Sequence, residues 1–270
     1  MGFLPSITRC ESNGVTLLAD AERPCGVTLA FTERTGGVSA APYASLNLGD
    51  ACGDRAEDVA ANRRRALDAI GAGACAERLV NPRQVHGDEV VVVREGTDAA
   101  VAAARRQARE GADAVVCLAT DVPVLLCYAD CVPVVLVAPG GFAVVHSGWR
   151  GTDARIAAKA ARILLAETGA EASQALAYIG PHIGVGDYEV SPELARHFAD
   201  GFGPECVRDG NRLDLGYCVR AALAEVGVGE GQVASCDDST AGNTDRFYSY
   251  RAEGMCGRHG ALAFRPSGAV

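Results

Sequence analysis

The sequence predicts an α/β fold built on an apolar sheet covered on both faces. Three observations carry this. Helical and strand-like periods are intermixed along the whole chain, the signature of layered α/β architecture. The strand segments are continuous apolar runs instead of alternating ones, as expected for strands buried on both sides. The chain has 270 residues, 49% of them apolar and 22% charged. Chains near this length bury about 75% of their unfolded surface. No linker, repeat or low-complexity tract divides residues 1–270, so a single domain is expected.

The elements follow in order. Residues 27–33 read as a strand, and Thr35-Gly36-Gly37 as a turn. Residues 58–70 have helical period, with Val59, Leu67 and Ile70 on one side. Residues 89–94 form a Val-rich strand, and 99–110 an Ala- and Arg-rich helix stopped by Gly111. Strands are predicted over 112–118 and 122–128. A polar interruption, Ala129-Asp130-Cys131-Val132-Pro133, precedes a strand over 134–138, and another strand runs over 142–146. Thr152 is a plausible N-cap for a helix through Glu167, with Gly169 as its stop. A strand over 175–179 ends in Gly180-Pro181. Residues 191–202 and 214–226 read as helices, and 232–236 and 261–264 as short strands.

With 25 Lys and Arg against 34 Asp and Glu, the net charge is −9. Such a chain has no global attraction for nucleic acid or an anionic membrane, so neither is an expected partner. The most apolar stretch, 122–145, is broken by Asp130, Pro133, Pro139 and Gly140-Gly141 and reads as buried strands, not a membrane helix. Eleven cysteines cannot all pair within the chain and show no disulfide framework, which points to a reducing, cytoplasmic setting. The N-terminus lacks the features of a signal peptide. Met1-Gly2 with Ser6 fits the myristoylation pattern in form only and is read as chance.

Chemistry concentrates on a few residues. His86 precedes a strand, Cys131 lies in the polar break between two apolar strands, and His146 ends a strand before Ser147-Gly148. Their separations, 45 and 15 residues, match no local zinc motif. Two imidazoles and a thiolate nevertheless suit zinc, leaving a fourth position for water or substrate as catalytic sites do. The same residues allow a metal-free reading, a Cys131–His146 thiolate–imidazolium pair oriented by Asp130 or Gln84. A blue-copper site would usually add an axial Met, and Met1 and Met255 are far from Cys131 in sequence. Buried structural cysteine and ordinary histidines remain the bland explanation. His182 reads as a solvated loop residue that could line a pocket, and His197 and His259 as surface residues.

Arg150, at a predicted helix start, could contact an anion, and Arg34 beside its glycine turn is similarly ambiguous. Asn62 and Arg63 fall in a predicted helix, where a charged face is the simple explanation. Gly71-Ala72-Gly73 lacks the third glycine of a dinucleotide fingerprint, and neither a P-loop nor a G-x-S-x-G elbow is present.

Longer phrases are more specific. They begin with Phe31-Thr32-Glu33-Arg34-Thr35-Gly36-Gly37-Val38-Ser39, Pro42-Tyr43 and Ser45-Leu46-Asn47-Leu48-Gly49. Gln84-Val85-His86-Gly87, Gly111-Ala112-Asp113-Ala114, Ala129-Asp130-Cys131-Val132-Pro133 and His146-Ser147-Gly148-Trp149-Arg150-Gly151 follow. Gly180-Pro181, Tyr188-Glu189-Val190 and Phe247-Tyr248-Ser249-Tyr250-Arg251 complete the series. In this order, over about residues 27–265, the chain resembles the bacterial polyphenol-oxidase-like (YfiH/YlmD) family, regarded as purine nucleoside phosphorylases.

The resemblance implies layered mixed β-sheets flanked by helices, in an α/β/β/α order. It implies zinc held by His86, Cys131 and His146, which would also be the catalytic centre. The implied substrates are adenosine, inosine, guanosine and S-methyl-5′-thioadenosine, cleaved with inorganic phosphate, with adenosine deamination as a further activity. Arg34 and Arg63 are the first candidates to hold phosphate, with Asn47, Gln84 and Arg150 as further substrate contacts. The chain departs from the family pattern at His182, where a small residue is common, at Val185-Gly186-Asp187, and in the polar run 236–243.

Alternatives stay open at this level. Some members are linked to peptidoglycan-precursor editing, so amide hydrolysis removing a misincorporated amino acid from UDP-MurNAc is a second reading, with Cys131 or zinc acting. A copper-binding polyphenol oxidoreductase is a third, although five histidines cannot supply the roughly ten that a multicopper cluster with an electron-entry site requires. A structural zinc closed by Cys117 or Cys127 in a binding module is a fourth. A monomer or homodimer is expected.

Overall fold

A computed structural model describes residues 4–268; Gly2, the residue that myristoylation would modify, lies outside them. The chain opens with a hairpin of β1 (Thr8–Ser12) and β2 (Val15–Ala19). Its turn residues Asn13 and Gly14 have φ of 49° and 74°, the left-handed pair that a two-residue hairpin needs. Asn13-Gly14 is the sequence signal for this hairpin, which is absent from the elements expected above. The chain continues through β3 (Thr28–Thr32), α1 (Ala56–Ala69), β4 (Val90–Val93), α2 (Asp98–Glu110), β5 (Ala114–Cys117), β6 (Val124–Tyr128), β7 (Val132–Ala138) and β8 (Gly141–Ser147). It ends with α3 (Trp149–Asp153), α4 (Ile156–Thr168), β9 (Leu176–Ile179), α5 (Pro192–Phe202), the short pair β10 (Val207–Arg208) and β11 (Arg212–Leu213), α6 (Leu215–Ala224), β12 (Val233–Ser235), α7 (Tyr250–Glu253) and β13 (His259–Phe264).

Two sheets carry the fold. A five-stranded sheet runs β1-β2-β3-β13-β6 and a six-stranded mixed sheet runs β12-β9-β7-β8-β5-β4. Strand parity decides which face each residue fills. Val135 and Val137 of β7, Phe142 and Val144 of β8, Leu126 of β6 and Ala261 of β13 point into one core between the sheets. Val134, Leu136, Ala143 and Val145 point the other way, onto α4, α5 and α6. Leu125, Leu262 and Phe264 face a third core beneath α1. The layers are therefore helix, sheet, sheet, helix. The single doubly covered sheet expected from the apolar runs is two sheets, each covered by the other on one face and by helices on the other. An apolar run reports that both faces are buried, not what buries them.

Local corrections have physical reasons. The helix expected from Thr152 to Glu167 is two helices. Gly148, not Thr152, caps α3, and the left-handed Arg155 (φ 56°) separates it from α4. Thr152 lies inside α3 with its hydroxyl 2.7 Å from that of Ser147. Gly169 ends α4 in the left-handed conformation, as expected. β7 begins at Val132 and includes Pro133, which the sequence placed in the preceding loop. The proline is tolerated because the β9 ladder starts one residue later, at Val134, while its carbonyl still accepts from Gly180 N–H. His259, expected at the surface, is fully buried in β13 against the Tyr128 ring at 4.2 Å.

Candidate metal centre

The register of the six-stranded sheet assembles the site at one edge. Pro133 in β7 pairs with His146 in β8, so Cys131, two residues before Pro133, lies beside the end of β8. Asp113 immediately precedes β5, whose Ala114 pairs with both Val145 and Val90. The loop that brings His86 is held there by Asp113. Its buried carboxylate accepts the backbone N–H groups of Val85 (3.1 Å), His86 (3.0 Å) and Gly87 (2.7 Å). It also lies 2.8 Å from Nδ1 of His146. Burial opposes ionisation of Asp113, but His146 and these N–H groups hold its pKa below the ordinary carboxylate value. An ionised acceptor holds a proton of His146 on Nδ1, so that Nε2 is the ring nitrogen left to serve as a ligand.

The sequence-predicted trio comes together. The ligand atoms of His86, Cys131 and His146 all lie within 4.8 Å of one another. The two imidazole rings stand edge to face with centroids 4.9 Å apart. Accessibility is graded: His146 is buried, Cys131 half-buried and His86 exposed. Two left-handed residues shape the set, His86 itself (φ 58°) and Asp130 (φ 84°) beside Cys131. Such conformations are uncommon outside glycine and cluster at functional sites. Burial raises the Cys131 pKa, but the His146 and His86 rings more than offset this and bring it to about 6. Burial likewise opposes protonation of His146, yet Cys131 and Asp113 lift its pKa to about 9.

Gly148 supplies the test of fit. A Cβ built on it would stand 3.0 Å from His86 Cδ2, 3.2 Å from Cys131 Sγ and 3.9 Å from His146 Cε1. The backbone of Gly148 therefore forms a floor under all three ligands that only glycine leaves open. Two imidazoles and a ready thiolate over that floor suit a divalent, borderline-soft ion such as zinc. No fourth His, Cys, Asp or Glu among the described residues joins the group. Cys117 is buried with its thiol toward the Ala119 and Val122 carbonyls, and the Cys127 thiol faces the Leu48 carbonyl at 3.4 Å. Met255 is exposed and forms no part of the cavity wall.

The trio opens into a cavity of about 470 Å³. Its wall includes the aromatic residues Trp149, Tyr188 and Tyr250, the apolar Ile183 and Leu215, and several arginines. Of the five residues expected as substrate or phosphate contacts, the structure places only Gln84 on this wall. Gln84 is fixed by a two-way clasp with the Cys127 backbone, donating at 2.6 Å and accepting at 2.8 Å.

The other four are engaged elsewhere. Arg34 donates to the carbonyls of Ala44, Thr244 and Phe247, pairs with Glu253 at 2.9 Å and stacks on Tyr248. Asn47 is fully buried and accepts Arg258 N–H at 2.8 Å. Arg63 stands behind the wall, donating to the Leu48 carbonyl and facing Asp50 at 3.3 Å. Arg150 folds over the ring of Trp149.

His182, expected in solvent, is buried, with Nδ1 2.8 Å from the Gly180 carbonyl and no place on the cavity wall. His197 is exposed, as expected, beside Asp153. In the sequence Asp113 stands within Gly111-Ala112-Asp113-Ala114 with no task of its own. A lone acid before an all-apolar strand was the available signal.

A family model described as multi-copper polyphenol oxidoreductase laccase matches residues 28–265. The chain belongs to that family. Its relatives in the polyphenol oxidoreductase family include a Corynebacterium glutamicum protein named purine nucleoside phosphorylase, 34% identical over 243 residues, which span 89% of this chain and 95% of the relative. A Deinococcus radiodurans protein of the same name is 36% identical over 243 residues, 88% of each chain. The crystal structure of YlmD from Geobacillus stearothermophilus shares the fold with a TM-score of 0.84 at 29% identity, covering 97% of this chain and 100% of that one. YfiH of Bacillus licheniformis matches at 0.81 with 28% identity, over 92% and 96% of the two chains. The layered fold and family membership expected from the motifs are thus found. No described helix is long and apolar enough to cross a membrane.

Proposed function

We propose that this protein is a zinc-dependent purine nucleoside phosphorylase of the cytoplasm, acting on adenosine, inosine, guanosine and S-methyl-5′-thioadenosine and also deaminating adenosine. The observation that carries the reading is the open three-ligand set of His86, Cys131 and His146 on the wall of a cavity of about 470 Å³. That volume lies within the range of small-molecule sites, roughly 300–1,000 Å³. Trp149, Tyr188 and Tyr250 bring aromatic surface to the wall, the kind of surface a purine base packs against. Relatives that align over almost their whole length carry the phosphorylase name.

In phosphorolysis a phosphate oxygen bonds to the ribosyl C1′ as the bond from C1′ to the purine nitrogen breaks. The electron pair passes to the base, which takes up a proton, and the products are free purine and ribose 1-phosphate. Zinc, when bound, supplies Lewis acidity that lowers the pKa of a water toward ~7, the chemistry that hydrolytic deamination at purine C6 requires. His86, Cys131 and His146 would hold it. Asp113 holds the Nδ1–H of His146, so that Nε2 is the nitrogen the ring would give to the metal in exchange for its proton. Gln84, clasped to the Cys127 backbone, keeps that part of the wall in place.

One observation favours a second reading. The Cys131 thiol, brought to about 6 beside His146, is also a competent nucleophile for amide hydrolysis in peptidoglycan-precursor editing. Copper is the minor alternative metal, held by the same three residues. The test is release of free base from adenosine and inosine with and without inorganic phosphate. Phosphate-dependent, chelator-sensitive release supports the phosphorylase. Phosphate-independent amide cleavage blocked by thiol alkylation of metal-free protein supports the hydrolase, and oxygen-dependent phenol oxidation would support the copper reading.

A further inference from the structure

The cavity wall carries charge of the opposite sign to the molecule as a whole. The chain has a net charge of −9, yet four arginines, Arg83, Arg109, Arg251 and Arg258, line the cavity against two aspartates, Asp50 and Asp130. The arginines are not equivalent. Arg109 is paired with Asp50 at 3.2 Å, and Asp50 also faces Arg63. Arg83 uses Nε and Nη2 on the carbonyls of Arg109 and Glu110. Arg251 spends only Nη1, on the Glu189 carbonyl at 3.0 Å, and lies over the ring of Tyr188. Arg258 spends only Nη1, on the Cys256 and Gly257 carbonyls and the Cys256 sulfur. Among the described residues no carboxylate forms a salt bridge with either guanidinium. Toward the described residues each leaves its Nε–Nη2 edge unspent, the edge that binds phosphate with two parallel N–H groups.

The backbone holds both residues in place. Asp130, next to Cys131, accepts Arg251 N–H at 2.7 Å on one oxygen and the Thr240 hydroxyl at 2.7 Å on the other. Its carboxylate is thus occupied beside Arg251 without pairing with the guanidinium. Asn47 accepts Arg258 N–H. The Arg258 stem lies across Gly49, where a Cβ would come within 2.7 Å of its Cγ.

We propose that Arg251 and Arg258 form the anion subsite of this cavity and that they grip a phosphate dianion. Resting on the phosphorylase reading, that dianion is the inorganic phosphate co-substrate, and Arg34 and Arg63 act only by supporting the surrounding loops. The same chemistry would accept the phosphate of a nucleotide.

The experiment uses the full-length, metal-loaded protein with Arg251→Gln, Arg258→Gln and the corresponding Lys variants. Inorganic phosphate binding is measured by calorimetry, and KM is measured separately for phosphate and inosine. Each Gln variant is expected to weaken phosphate binding and raise its KM at least about 10-fold, while the inosine KM moves less than about twofold. Lys, which keeps the charge but not the forked edge, should recover part of the loss. A merely structural role would lower kcat or the folded yield without this split.

Gln variants that keep wild-type phosphate affinity and KM overturn the subsite. If a variant fails to fold, its Lys partner supplies the comparison. Should wild type bind phosphate through these arginines yet release no base, the subsite stands and the phosphorylase reading falls. Adenosine 5′-monophosphate added as competitor separates the two phosphate sources. Tighter binding of the nucleotide than of phosphate plus adenosine would overturn the co-substrate assignment.

Discussion

The carboxylate of Asp113 lies 2.8 Å from Nδ1 of His146 and simultaneously takes three backbone N–H groups of the loop bearing His86. One buried acid therefore fixes the orientation of one candidate ligand and the position of another. Asp113→Asn keeps the shape but replaces an acceptor with an amide that also donates, which misdirects the His146 proton. Zinc affinity should fall about 10–100-fold, the usual cost of losing a partner that orients a ligand. Competition with a chromophoric chelator measures it. Unchanged affinity would show that Asp113 serves the fold alone.

Gly148→Ala tests the floor. The added Cβ meets His86 Cδ2 at 3.0 Å and Cys131 Sγ at 3.2 Å. Crowding of this kind costs about 1–3 kcal/mol, and here the ligand side chains are what must move. The expected outcome is a folded protein with near-wild-type melting in the absence of metal and at least about fivefold weaker zinc binding. Equal affinity would mean that the three ligands do not need to meet over Gly148.

His259 gives a prediction about acid stability. It is fully buried, neither ring nitrogen has a partner among the described residues, and burial lowers its pKa to about 3. In the unfolded chain an ordinary histidine titrates near ~6.5. Between these values the unfolded state binds the extra proton. Stability is therefore fully present above the unfolded value and is lost as pH falls through this window, by about 1.4 kcal/mol per pH unit. From pH 7.5 to 5.0 this residue should account for about 2 kcal/mol of lost stability. Denaturant melts of wild type and His259→Leu at both pH values check it. The variant should lose less on acidification, and parallel losses would refute the burial argument.

The fold was legible where a run of residues speaks for itself. Helices with good caps, such as α5 after Ser191 and α6 after Asp214, were found nearly to the residue. The β1–β2 hairpin was missed although Asn13-Gly14 announces it, because β1 is almost wholly exposed and carries no apolar run. His259 was misread because its neighbours Gly257, Arg258 and Gly260 resemble a turn, while pairing with Tyr128 across the sheet buries it.

The three candidate ligand positions stand out in the sequence because histidine is scarce and Cys131 interrupts an apolar stretch. Of the phosphate candidates, Arg34 stands beside a glycine turn and Arg63 falls in a helix, and in the structure both donate to backbone carbonyls. Arg258 reaches the cavity from just before the final strand, and Arg251 from the short α7. No local pattern signals such convergence, which depends on how the two sheets stack.

The most direct measurement of the central claim is metal content per chain in wild type and Cys131→Ser after purification with equimolar zinc. About one tightly held zinc per wild-type chain is expected, and well under half of that in the variant, with both proteins folded. Full retention of zinc by the Cys131→Ser protein would contradict the assignment of His86, Cys131 and His146 as the metal site.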